Sequence, residues 1–149
     1  MTRAILLDTG PLGLLTSPPG RKGNAAVCAR WLRSLLAAGA RVVVPEIADY
    51  ELRRELVRAA KLKSIARLDA LAAATEYVPL TTPAMRRAAE LWATARQQGQ
   101  PTAGDKTIDG DVILAAQALT LGTPAMVATT NPGHLSRFVP AEHWQNIVP

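Results

Sequence analysis

The chain has 149 residues, one cysteine, a formal charge of +5 and 48% hydrophobic residues. That length suits one domain, residues 1–149, with a sizeable core, and the apolar share excludes a disordered chain. A lone Cys28 excludes an internal disulfide and a cysteine-rich zinc site and suits a reducing cytoplasm. The apolar start at 4–7 is too short for a signal peptide, and the stretch 112–128 is broken by Gln117, Gly122 and Pro124, which argues against a membrane span.

Taken in order, strands and helices alternate. Residues 3–7 form a short apolar run, read as a strand. Residues 24–38 carry Val27, Cys28, Trp31, Leu32 and Leu35 at helical spacing, with Asn24 as N-cap and Gly39 as stop. Residues 42–44 are a β-branched strand ended by Pro45. Helices are predicted over 47–60 and 64–74, and a third strand over 77–80. Thr82 and Pro83 open a helix carrying Met85, Ala88, Ala89, Trp92 and Ala95. A polar loop, 99–107, leads to Asp109 or Gly110, which opens a nearly all-apolar helix over 111–121. Strands are read at 125–128 and 144–148. This alternation implies an α/β protein whose mostly parallel sheet of about four to five strands is covered on both faces.

In such sheets, ligands bind beyond the carboxyl ends of the strands. Asp8 follows the first strand, and Thr129, Thr130 and Asn131 follow the fourth. Alone, Asp8 also reads as an N-cap, Glu51 as a surface partner for Arg54, and Asp111 as a first-turn acid complementing the helix dipole. Together they suggest one site. Two carboxylates about 4 Å apart repel by about 4 kcal/mol at an effective dielectric near 20, so such a cluster persists when cations neutralise it. Oxygen ligands suit Mg²⁺ or Mn²⁺, which support in-line phosphoryl displacement.

The basic residues suggest the substrate. No acid lies between Asp8 and Glu46, whereas Arg21, Lys22, Arg30, Arg33 and Arg41 do. A second basic stretch holds Arg53, Arg54, Arg58, Lys61, Lys63 and Arg67. These residues read either as solvated helix faces or, jointly, as a surface for a phosphate backbone.

The stretches Leu6-Leu7-Asp8-Thr9, Tyr50-Glu51-Leu52, Asp111-Val112-Ile113-Leu114-Ala115-Ala116-Gln117-Ala118 and Thr129-Thr130-Asn131 resemble the four motif regions of PIN domains. They are most similar to the toxin ribonucleases of VapBC toxin–antitoxin modules. The resemblance implies a three-layer α/β/α sandwich and Mg²⁺- or Mn²⁺-dependent endoribonuclease activity on single-stranded RNA. It assigns Asp8, Glu51 and Asp111 to metal binding and catalysis. Glu46 is a rival for the second acid, because it directly follows Pro45. Thr9, Asp109, Thr129, Asn131 and His134 are supporting residues, and Arg53, Arg54 and Arg58 are expected to hold RNA. Asp109 lies about 200° around a helix from Asp111, which favours an N-cap role. A homodimer, a cognate antitoxin and a cytoplasmic location are also implied.

One departure concerns His134, which stands where many members carry a fourth acid. A neutral imidazole binds a second hard cation less well than a carboxylate, and this leaves a noncatalytic nucleic-acid-binding module as the alternative. A haloacid-dehalogenase-like phosphatase needs an acid at residue 10, where this chain has Gly10, and a receiver needs adjacent acids and a late Lys, which are also missing.

Overall fold

The computed structural model describes residues 3–20, 23–99 and 105–149, with only the backbone of 105–108. Arg21, Lys22 and most of the expected polar loop therefore lie outside the described residues. The chain runs β1 (Ala4–Leu7), α1 (Thr9–Thr16), α2 (Asn24–Ala37), β2 (Arg41–Pro45), α3 (Glu46–Arg58), α4 (Leu62–Ala74) and β3 (Glu76–Val78). It continues through α5 (Thr82–Gln97), α6 (Asp105–Leu119), β4 (Ala125–Thr129), α7 (Pro132–Leu135) and β5 (Ala141–His143), ending on a 3-10 turn, Trp144–Asn146. No helix among the described residues is long and apolar enough to cross a membrane.

The five strands form one parallel sheet in the order β3-β2-β1-β4-β5. All four residues of β1 are buried, as a central parallel strand covered on both faces requires. Side-chain alternation divides the core. Ile5, Leu7, Val42 and Val44 face Leu12, Cys28, Trp31, Leu35, Leu56 and Leu68 from α1 to α4. Ala4, Leu6, Val43 and Val127 face Leu114, Ala115, Ala118 and Leu135 from α6 and α7. Outside α6 lies α5, packed through Ala88, Ala95, Val112 and Ala116. The expected three-layer sandwich is therefore present.

Three elements differ from the sequence reading. The segment after Asp8, absent from the predicted elements, is a helix, α1; Asp8 is its N-cap, as read from the sequence, and Pro11 is tolerated in the first turn, where its missing N–H has no partner to lose. The final strand is Ala141–His143, not 144–148. Trp144 is 2% exposed and meets Trp31 edge-on at 5.5 Å, while the Trp31 indole N–H donates to the Ile147 carbonyl at 2.8 Å. These contacts seat Trp144 and Ile147 in the core and take the segment off the sheet. Third, α6 begins at Asp105, so Asp109 lies inside the helix and is not its N-cap.

A polar bracket fixes α3 against the sheet. Gln117, 1% exposed on the apolar α6, accepts from the Ile47 N–H at 3.1 Å and donates to the Val78 carbonyl at 2.9 Å. Beside it the Glu46 carboxylate accepts the Leu80 N–H at 2.7 Å. These bonds satisfy groups that would otherwise be buried without partners at the start of α3 and the end of β3.

Candidate active site

The strand order reverses between β1 and β4, and their carboxyl ends open into a cleft of about 310 Å³. Asp8, Thr9, Glu51, Arg54, Asp111, Thr129, Thr130, Asn131 and His134 line it. The three expected acids thus meet in one place, carried by the end of β1, by α3 and by α6.

Asp8 is held from both sides. One carboxylate oxygen accepts the Thr9 N–H at 2.8 Å, and the other accepts the Thr129 hydroxyl at 2.8 Å. The Thr129 oxygen in turn accepts the Asn131 N–H at 3.1 Å. Asn131 differs from its expected role, since its side chain accepts the Gly133 N–H at 3.3 Å and caps α7. It supports the site through its backbone. Gly10 permits this close assembly: a Cβ there would fall 2.5 Å from Thr130 Cγ2.

Glu51 lies against the backbone of α6. A Cβ on Gly110 would meet its Oε2 at 2.6 Å, so the glycine beside Asp111 admits the carboxylate. Burial and the charge of Asp8 raise the pKa of Glu51; Arg54, at 4.0 Å, opposes that rise, and Asp111 adds to it. Burial, then Asp8, pushes Asp111 from 3.8 up to about 6, with Arg137 opposing. Glu51 and Asp111 are therefore costly to ionise, first by burial and then by neighbouring negative charge, a cost that a bound cation would offset.

The described side chains form no tight preassembled cage of three metal-ligating groups. The fit to a hard cation rests on the donor set: three carboxylates around one cleft, with no cysteine and no histidine pair. Of the three, Asp8 is the one whose carboxylate is held at both oxygens by hydrogen bonds among the described residues.

Other expected residues lie elsewhere. Glu46 is committed to the Leu80 N–H and does not line the cleft. Asp109 faces the opposite side of α6, in a groove with Met85, Ala88, Ala89, Trp92, Val112 and Ile113. Arg53 bridges Asp49 at 2.8 Å and Asp69 at 2.7 Å, which ties α3 to α4. Arg58 pairs with Glu55 at 2.9 Å on the surface. Of the three arginines expected to hold RNA, Arg54 alone lines the cleft. Sequence reasoning missed Arg137, whose guanidinium donates to His134 Nδ1 at 2.8 Å. Its position one helical turn after His134 is the one signal that could have found it.

Solved structures with this fold include the VapBC2 complex of Rickettsia felis bound to a DNA fragment from their promoter. It is 19% identical, with a TM-score of 0.73 over 95% of this chain and 98% of that one. The DNA-bound VapBC of Salmonella typhimurium is 19% identical, with a TM-score of 0.70 over 97% and 99%. VapBC-1 of nontypeable Haemophilus influenzae is 18% identical, with a TM-score of 0.66 over 96% and 99%. No curated protein matches the chain. The PIN domain family model matches residues 5–137, which takes in all three acids of the cleft, and the chain belongs to the PIN domain family.

Proposed function

We propose that the protein is a Mg²⁺- or Mn²⁺-dependent endoribonuclease of single-stranded RNA and the toxin of a type II toxin–antitoxin pair. One observation carries the reading: Asp8, Glu51 and Asp111 arrive from three separate elements at one strand-end cleft, where burial first and the charge of Asp8 second raise the pKa of both Glu51 and Asp111. Membership in the PIN family and likeness to VapBC structures support it.

Asp8, Glu51 and Asp111 would hold the ion. When bound, it lowers the pKa of water and offsets charge on the phosphodiester. Thr129 and the Thr9 N–H keep the Asp8 carboxylate oriented, so that little reorganisation is left for the reaction. Arg54, at the lip of the cleft, meets the strand's phosphates without reading its bases. The partners that accompany this reading are a cognate antitoxin and a second copy of the chain, acting in the cytoplasm.

A labelled single-stranded RNA incubated with the protein and Mg²⁺ or Mn²⁺, with Asp8→Asn as control, tests this. Cleavage that needs both the metal and Asp8 is expected. Metal-dependent cleavage that survives in Asp8→Asn would overturn the site. Strand binding without cleavage would leave a noncatalytic module.

A further inference from the structure

We propose that His134 is a neutral hydrogen-bond donor to a phosphate oxygen of the bound RNA strand, fixed in that state by Arg137, and not a ligand for a second metal ion. This rests on the reading of the cleft as an RNA-binding site.

The inference starts from one contact. His134 lines the cleft with the three acids, and its Nδ1 lies 2.8 Å from Arg137 Nη2. A guanidinium has donors only and stays charged, so Nδ1 must accept and carries no proton. The proton of the neutral ring then sits on Nε2. Such a ring has no lone pair left for a metal: one nitrogen accepts from Arg137 and the other bears hydrogen. It offers an N–H, which is what a phosphate oxygen needs.

The turn that carries the ring is pinned. Asn131 accepts the Gly133 N–H, and the Ser136 hydroxyl donates to the Pro132 carbonyl at 2.7 Å. Arg137 adds charge to the same flank, where its guanidinium acts on Asp111. A fixed cation beside the third acid repels a second divalent ion and attracts a polyanionic strand. His134 thus brings a hydrogen-bond donor, not a carboxylate, to the cleft. Arg137 is a positioning residue: it acts through the tautomer of His134.

The test uses a short fluorescent oligouridylate and fluorescence anisotropy, in EDTA and in a Glu51→Gln background that blocks turnover. His134→Ala should weaken binding about two- to tenfold, the range of one neutral hydrogen bond. His134→Gln, which restores an N–H donor, should recover most of it. His134→Asp should bind no better than His134→Ala. In the otherwise unsubstituted chain, His134→Ala should raise KM more than it lowers kcat, and its Mn²⁺ titration should superimpose on that of the parent. Unchanged oligouridylate binding together with weakened Mn²⁺ binding in His134→Ala would overturn the inference in favour of a metal ligand. If the parent cleaves RNA and His134→Ala keeps its KM, this inference fails alone. If the parent cleaves nothing yet the anisotropy pattern holds, the nuclease reading fails and the donor role stands.

Discussion

On α3, Glu46, Asp49 and Glu55 each meet a donor: the Leu80 N–H, the Arg53 guanidinium and Arg58 respectively. Glu51, on the same helix, faces Asp8 and Asp111 across the cleft and has Arg54 only at 4.0 Å. The difference separates two uses of a carboxylate. An acid matched by donors is at rest where it is, whether it joins segments as Glu46 does or pairs within its own helix as Asp49 and Glu55 do; an acid buried beside other acids raises the energy of the metal-free protein.

The largest expected effect comes from removing cleft acids. Asp8→Asn, Glu51→Gln and Asp111→Asn should each lower RNA cleavage on the order of a thousandfold, equivalent to about 4 kcal/mol of transition-state stabilisation. Metal-free stability at neutral pH should hold or rise, because a repulsive charge is gone. The pH dependence has a definite sign. Asp111 is raised from 3.8 to about 6, so between those values the folded chain keeps a proton that the unfolded chain has lost. Metal-free stability should therefore fall as pH rises through that window, and Asp111→Asn should flatten the fall. Metal binding runs the other way: protons compete with the ion, so Mg²⁺ affinity should weaken below about pH 6. Urea unfolding and calorimetric titration across pH measure the two slopes.

Asp49→Asn should produce the converse. Asp49 is 6% exposed and ion-paired, and its loss should cost about 1–3 kcal/mol of stability while cleavage persists. Chemical denaturation beside a cleavage assay would separate the two acids.

Gly110→Ala probes how closely α6 approaches Glu51. The added methyl would strike Oε2 at 2.6 Å, so Glu51 must move. Cleavage should drop about tenfold, an effect near 1.4 kcal/mol, while helix propensity favours alanine by about 1 kcal/mol and keeps the fold intact. Unchanged Mg²⁺ affinity and activity would show that the position of Glu51 is unimportant.

The smallest effect divides neighbouring arginines. Arg54→Ala should weaken RNA binding across sequences and lower the salt slope by roughly one. Arg53→Ala should instead lower stability and leave the slope alone, since its guanidinium is held by Asp49 and Asp69.

Arg53 also illustrates what sequence can carry. The strands were legible because buried parallel strands are continuous apolar runs, as in Ala4–Leu7 and Arg41–Pro45. The motif stretches located Asp8, Glu51 and Asp111 by resemblance, and the structure puts all three in one cleft. Contacts between distant segments were not legible. Asp49, four residues before Arg53, was a local hint of its ion pair, but Asp69 lies on a separate helix and its part in holding Arg53 was not legible. Glu46 was ambiguous until the Leu80 N–H appeared beside it. Neither α1 nor α7, both short and carrying Gly and Pro, is among the predicted elements, and a strand is expected at 144–148 where Trp144 instead buries itself in a 3-10 turn.

The most direct test of the central claim is a calorimetric Mn²⁺ titration at neutral pH of the parent protein, Glu51→Gln and Asp49→Asn. The difference between the two acids predicts binding in the parent and in Asp49→Asn, with binding lost or much weakened in Glu51→Gln. Parent-like affinity in Glu51→Gln, or loss in folded Asp49→Asn, would contradict it.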